Sequence, residues 1–547
     1  MPPPRSLQEH APGAGSRRAG LLIPLFSMPS SKSWGIGEIG DIAPMANWAR
    51  TAGIRLLQLL PINEMPLTKT SPYSALSAMA IDPQFITMGV LKDFVALGGE
   101  RCLEAGLRAR LERVRTTPSI DYTGVRDLKH TVLRQAFARF RETEWARNST
   151  RAVALRAYIR SQAWWLDEYS LFRALHVRED ARPWHEWPSA LRERQPSAIA
   201  QARLDLADDI LYRQYLQWVA NEQWDEARTA SGDITLFGDL PFMVGADSAD
   251  VWARQDEFRL DASVGAPPDV FSDSGQDWNL PPYRWDVLAE RDFGWLRQRA
   301  RRNAELFEGY RIDHAVGFYR TYVRPHDGGV PRYAPAEQEV QVRLGERVIE
   351  VLREPGAEII AEDIGIVPDF VLESLARLSV PGFKVLRWER DPDADGQPFR
   401  DPADYPAVAV ATSGTHDTEP MAVWWEGAPV DEKEAALAIP QVLARLTEEA
   451  RASSLAAAGL SGALRDALIE TLYASGANLL ILPIPDVFGW RERINVPDAV
   501  GRADTAGIVC AANWTWRLPW LSDTLSAEPE AVAAAARLRA WATRHGR

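Results

Sequence analysis

Short apolar runs rich in β-forming residues recur along this chain, and several end on a charged or small polar side chain. In order they are Arg55–Pro61, Ile234–Phe242, Gly309–His314, Glu358–Asp363, Gly382–Trp388, Ala407–Asp417 and Asn478–Pro485, with a weaker candidate at Ala78–Ile86. Helical periodicity separates the later runs: Asp286–Phe307, Ala336–Leu352 and Pro368–Leu378 carry apolar residues at i, i+3, i+4 spacing. Apolar strands alternating with amphipathic helices make a parallel sheet covered by helices. Eight such runs predict a closed (β/α)8 TIM barrel, with an open doubly wound sheet as the alternative.

The rest of the 547 residues arrange themselves around that pattern. Residues 1–19 are Pro/Gly/Ser-rich and read as a flexible segment, 20–90 as the first part of the barrel. Residues 91–230 are helical in character, with charged amphipathic pieces at Val125–Glu142 and Ile210–Ala230, and read as an insertion between early strands. The barrel resumes over 231–525, with Ala-rich helices at Glu432–Leu472, and 526–547 closes with a helix. The best apolar stretch near the start, Leu21–Phe26, is six residues long and contains Pro24. That fits neither a signal peptide nor the roughly 20 residues of a membrane span. A net charge of −13 excludes a global basic field, so no nucleic-acid partner is expected. Two cysteines, Cys102 and Cys510, exclude a disulfide framework and a thiolate zinc cluster and suit a reducing compartment. A cytoplasmic protein with no membrane partner is the expectation. Twenty-one Trp and 13 Tyr fill cores but also stack on flat ligands such as sugar rings.

In a parallel barrel the reactive groups sit at the C-terminal ends of the strands. Those ends supply Asp239, then Arg311, Asp313 and His314, then Glu362 and Asp363, then His416 and Asp417. Asp313 and Glu362 fall on neighbouring strands, which lie roughly 4.8 Å apart. Two carboxyl groups so placed suit the roughly 5–5.5 Å separation of a retaining glycosidase better than the wider inverting spacing. One must stay ionised, which Arg311 two residues before Asp313 would secure; the other must hold a proton, which Asp363, Asp417 and an apolar wall would enforce.

Arg311–His314 (RIDH), Ala361–Gly365 (AEDIG) and Gly414–Thr418 (GTHDT) resemble, in that order, the signature segments of the 4-α-glucanotransferases, or amylomaltases, of the α-amylase clan. Gly35–Asp41, Ser71–Pro83, Gly238–Ala253, Gly265–Tyr283 and the RINVP and NWTWRLP segments agree in kind and order, so the likeness runs from about residue 20 to 525. The resemblance implies transfer of α-1,4-glucan segments from maltooligosaccharides to glucose or maltodextrin acceptors, with no metal or organic cofactor. It implies Asp313 as nucleophile, Glu362 as acid/base and Asp417 as the holder of the sugar 2- and 3-hydroxyls. Arg311, His314 and His416 would line that subsite, Tyr73 would stack on the sugar and Asp239 would support it. Asp269, Gln276 and Trp278 would lie on a glucan-gripping loop over 265–283, and Asn495 is carried over from the RINVP segment. Thr418, Asn279 and Asp498 depart from the residues usual in the family, which bears on acceptor preference rather than on the reaction.

Rival readings make different demands. Gly35–Gly40 spells the G-x-G-x-x-G dinucleotide fingerprint, but eight residues separate it from Phe26 and Glu38 would face a pyrophosphate. Asp41 reads instead as a helix N-cap, with Gly53 ending the helix. A metal-dependent barrel hydrolase would need His-x-His after the first strand, which here runs into Pro61–Glu64, and only eight histidines occur in the chain. A glycan-binding relative without activity would have lost Asp313, Glu362 or Asp417. A maltodextrin hydrolase would share every residue named here and differ in product.

Overall fold

The structure is a computed structural model that describes residues 16–268, 275–391, 394–396, 398–497 and 513–547. Eight parallel strands close a barrel: β1 Arg18–Leu22, β2 Leu56–Gln58, β3 Thr235–Leu240, β4 Gly309–Ile312, β5 Glu358–Ala361, β6 Gly382–Val385, β7 Ala409–Thr412 and β8 Leu479–Pro483. They follow one another in sequence order around the ring, and β1 pairs with β8 to shut it. Their residues are almost wholly buried, as expected of strands covered on both faces.

Seven of these strands come from the runs read in the sequence; the eighth does not. Ala78–Ile86 is no barrel strand, and Arg18–Leu22, which starts within the segment expected to be flexible, takes the eighth place. The reason lies in who satisfies the backbone. At Ile81, Gln84, Ile86 and Thr87 side chains from the helical layer supply partners. Gln217 accepts from Ile81 N and donates to Ile81 O, Gln223 does the same for Thr87, and Lys129 Nζ donates to the carbonyls of Gln84 and Ile86. The segment is apolar like a strand, yet Pro83–Phe85 turn as a short 3-10 helix capped by Asp82, and amides and an ammonium take up backbone groups on either side.

The helices around it include α1 Ile42–Thr51, α2 Tyr122–Phe140, α3 Thr150–Arg178, α4 Ala207–Ser231, α5 Gly294–Leu306, α6 Gln338–Arg353, α7 Asp369–Arg377, α8 Gly462–Tyr473 and α9 Pro529–Arg544. On α6 the buried residues Gln341, Gly345, Val348, Ile349 and Leu352 keep one face to the barrel. The C-terminal half of α3, from Trp165 to His176, is buried almost all round, the mark of a helix enclosed between layers. The single helix expected over Asp286–Phe307 is two, Trp285–Glu290 and α5, because Asp292 and Phe293 turn the chain with φ of 50° and 54°. An antiparallel sheet stands over the β3–β4 side, in the order Gln276–Asp277, Ala262–Ala266, Thr321–Pro325, Arg332–Ala334. Among the described residues no helix is long and apolar enough to cross a membrane.

The fingerprint-like glycines have a packing role. A Cβ on Gly37 would lie 1.9 Å from the carbonyl oxygen of Leu25, so the backbone passes too close for any side chain. Gly53, at φ 73°, ends α1 as expected. Asp41 does precede α1, but its carboxylate accepts from Glu38 N at 2.7 Å and Ser33 Oγ at 2.6 Å and caps the preceding turn rather than α1.

Candidate active site

Strand register sets the first contacts. Asp239 on β3 lies beside Arg311 on β4, and Ile312 lies beside Ala361 on β5, so Asp313 and Glu362 each follow a registered pair. Arg311, 3% exposed, gives Nη1 to both oxygens of Asp239 at 2.9 and 2.8 Å. Its Nη2 lies 2.9 Å from Asp313 Oδ1 and 3.8 Å from Glu362 Oε2. The nearer oxygens of Asp313 and Glu362 are therefore no further apart than the sum of those two distances. That limit reaches only the lower edge of the roughly 6.5–9.5 Å of inverting pairs and accommodates the roughly 5–5.5 Å of retaining ones.

The two carboxyl groups sit in different surroundings. Glu362 accepts from His314 N at 2.8 Å and Ile364 N at 3.1 Å. Burial nevertheless pushes it up to about 7, against the pull of Arg311 and with the help of the Asp313 charge. Asp363, expected to help, faces away: its carboxylate accepts from Phe383 N at 2.6 Å. Asp417, the other expected contributor, does not lie among the main influences on Glu362. His314 adopts a left-handed conformation, φ 44°, which aims its N–H at Glu362 while its ring meets Trp278 edge-on at 5.0 Å and Phe242 at 5.5 Å. Burial lowers the His314 imidazole below its ordinary value, so it is neutral near pH 7.

The opposite wall comes from β7 and two loops. His416 stacks on Tyr73 with centroids 5.5 Å apart and planes 15° from parallel. Tyr73 Oη donates to Asp239 Oδ2 at 2.7 Å and lies 3.0 Å from His416 Nε2. With that hydroxyl proton committed to Asp239, His416 Nε2 is the donor toward Tyr73 Oη and toward Asp417 Oδ2, 3.2 Å away. Asn495 Nδ2 donates to Asp417 Oδ1 at 2.6 Å, and Arg493 Nη2 holds the Asp417 carbonyl at 2.9 Å. For Asp417, burial works upward, but His416, Asn495 and Arg311 outweigh it and hold the carboxyl well below the usual range.

Asp239, Tyr73, Arg311, Asp313, His314, Glu362, His416, Asp417 and Asn495 are thus brought together at one end of the barrel. Gln276 and Trp278 join them from the antiparallel sheet, with Trp278 Nε1 donating to Gln276 Oε1 at 2.9 Å. Asp269 lies outside the described residues. Two participants were not singled out from the sequence. Trp514 packs its ring 5.7 Å from Tyr73 and 5.8 Å from His416, and Arg493 fixes the Asp417 backbone. Both lie inside the RINVP and NWTWRLP segments that carry the family likeness, which was the available signal. Among the described residues no cluster of three or more His, Cys, Asp or Glu is arranged to hold a metal ion.

The sequence model of glycoside hydrolase family 77, 4-alpha-glucanotransferase, matches residues 23–523. The chain belongs to this family. A 4-alpha-glucanotransferase of Thermus thermophilus is 32% identical over 547 residues, covering 96% of this chain and 98% of that protein. One from Chlamydia pneumoniae is 29% identical over 511 residues, covering 92% and 91%. Among solved structures, an amylomaltase from Streptococcus agalactiae in complex with acarbose superposes with a TM-score of 0.79 at 25% identity, covering 97% of this chain and 99% of that one. A 4-alpha-glucanotransferase is a transferase built on glycosidase chemistry, and the end of the barrel that carries Asp313 and Glu362 is where such chemistry belongs in this fold.

Proposed function

We propose that this 4-alpha-glucanotransferase family member moves α-1,4-glucan segments by a retaining double displacement on Asp313 and Glu362. Asp313 attacks the anomeric carbon of the donor while the protonated Glu362 gives its proton to the departing glycosidic oxygen, leaving a β-glucosyl ester on Asp313. Glu362, now ionised, takes the proton of an acceptor hydroxyl, whose oxygen attacks the same carbon and releases Asp313. Asp417, held ionised by His416 and Asn495, accepts from the sugar 2- and 3-hydroxyls. Tyr73 and Trp514 provide the flat apolar surface that a pyranose ring packs on. Maltooligosaccharides are the donors, and glucose or a maltooligosaccharide the acceptor. We place the enzyme in the cytoplasm on its two cysteines, of which Cys102 is free and exposed.

The observation that carries this reading is the shared guanidinium. One nitrogen of Arg311 lies within 3.8 Å of both carboxylates, and burial pushes the Glu362 carboxyl up to about 7. That gives a proton carrier beside a group with a bound cation, the division of labour a double displacement requires. Transfer outruns hydrolysis when acceptor sugar is bound and water is kept from the ester. Product chromatography on maltotriose tests it: longer maltodextrins appear with glucose if segments are transferred, whereas glucose and maltose alone would identify a hydrolase. A trapped sugar on Asp313, found by mass spectrometry of Glu362→Gln given an α-glucosyl fluoride, whose leaving group needs no proton from residue 362, checks the nucleophile.

A further inference from the structure

The loop that carries Tyr73 leaves the end of β2 and returns through Ala80 to Asp82. Its arms are tied to each other: Glu64 N donates to Ala80 O at 3.1 Å, Leu76 N to Glu64 O at 2.7 Å and Asp82 N to Ile62 O at 2.9 Å. The helical layer holds both arms from behind. On the outgoing arm the Glu64 carboxylate, 5% exposed as a residue, accepts from Arg173 Nη2 at 3.0 Å and from the Tyr169 hydroxyl, both on α3. Arg213 Nη1 on α4 lies 3.9 Å away. On the returning arm Gln217 of α4 clasps Ile81, and its Nε2 also lies 3.3 Å from the Tyr169 oxygen.

The same helix reaches the loop's other flank. Arg173 Nη1 contacts His176 Nδ1 at 3.1 Å, and His176 Nε2 lies 3.4 Å from Asp247, in the loop that follows β3. That loop holds the Tyr73 loop directly: Ala249 N donates to Leu76 O at 2.8 Å and Asp250 Oδ2 accepts from Ala78 N at 2.6 Å. Replacing a buried ion pair with apolar residues is often neutral or stabilising, so stability alone does not explain a carboxylate enclosed by two arginines; fixing one geometry does.

We propose that Glu64 is a positioning residue for glucan transfer: anchored by Arg173 and Tyr169, it fixes the loop so that the Tyr73 ring stands against the sugar. Glu64 acts through Tyr73, and the proposal rests on the reading above in which Tyr73 touches substrate. The helical layer is then a brace for one wall of the active site.

The test is maltotriose disproportionation by Glu64→Gln and Tyr169→Phe, each alone and combined with Tyr73→Ala, with thermal melting followed in parallel. Tyr169→Phe removes one hydroxyl and keeps the ring, so it stays folded even if Glu64→Gln does not. Each single variant is expected to raise KM at least about fivefold with a smaller change in kcat, and the effect should vanish in the Tyr73→Ala background. A loss confined to kcat, as from a smaller folded fraction, overturns the proposal. So does an effect of the same size with and without Tyr73. If Tyr73→Ala itself has native kinetics, the assignment of Tyr73 to the sugar fails, and the role of Glu64 fails with it.

Discussion

Asp313 and Glu362 hang from one guanidinium, yet burial and the neighbouring negative charge act on Glu362 to keep a proton available. Glu362→Gln should lower kcat for maltotriose about 10²–10⁴-fold, the usual worth of a general acid/base, with the fold intact by circular dichroism. In the proposed mechanism the first step needs Glu362 protonated, so kcat should fall as pH rises through about 7. The same shift has a stability consequence of definite sign. A carboxyl raised in the folded state binds its proton more tightly there, so its contribution is full below the unfolded value and is lost as pH climbs through about 7. Glu362→Gln should therefore melt higher than the parent at about pH 8, with the gain shrinking toward pH 5, as differential scanning calorimetry can measure. At this scale the sequence was informative where one strand end supplied both partners, as with Arg311 and Asp313. It misled at Asp363, because adjacent residues on a strand point to opposite sides and only one of Glu362 and Asp363 can face the mouth.

The element most easily misread is the stretch from Ala78 to Ile86. Its apolar character is real, but Pro83–Phe85 turn as a 3-10 helix, partners come from α2 and α4, and no local pattern announces that a glutamine 136 residues away will take the place of a strand. Conversely, β1 is only five residues long and ends just before Ile23 and Pro24, so by itself it reads as a loop. The cation in this improvised ladder is also one half of a buried pair: Lys129 Nζ lies 2.5 Å from Glu38 Oε1, each side chain 1% exposed. Burial pushes Glu38 up to about 7 and Lys129 down, so each depends on the other. Lys129→Met should cost about 3–5 kcal/mol in denaturant unfolding, because it strands a carboxylate and two carbonyls together. Adding Glu38→Gln should recover part of that loss; no recovery would assign the cost to the carbonyls alone.

For the molecule as a whole, the architecture was readable because parallel strands need helices between them and because their ends converge. Once eight strand ends are placed on one rim, polar residues hundreds of positions apart, such as Tyr73, Asp239 and Asn495, have only one place to meet. The supports behind that rim were not readable, since Arg173 and Tyr169 sit in an amphipathic helix like any other until the layers are assembled. The chemistry assigned to Asp313, Glu362 and Asp417 predicts that dialysis against EDTA leaves maltotriose disproportionation unchanged; loss restored by a divalent ion would require a different mechanism. Ring closure carries one more implication. Arg18 is registered against Leu479, so the first strand cannot find its neighbour on that side until about 460 further residues have left the ribosome. During synthesis the nascent chain must carry an open-edged sheet, and chaperone demand should drop sharply once residue 483 is clear of the exit tunnel.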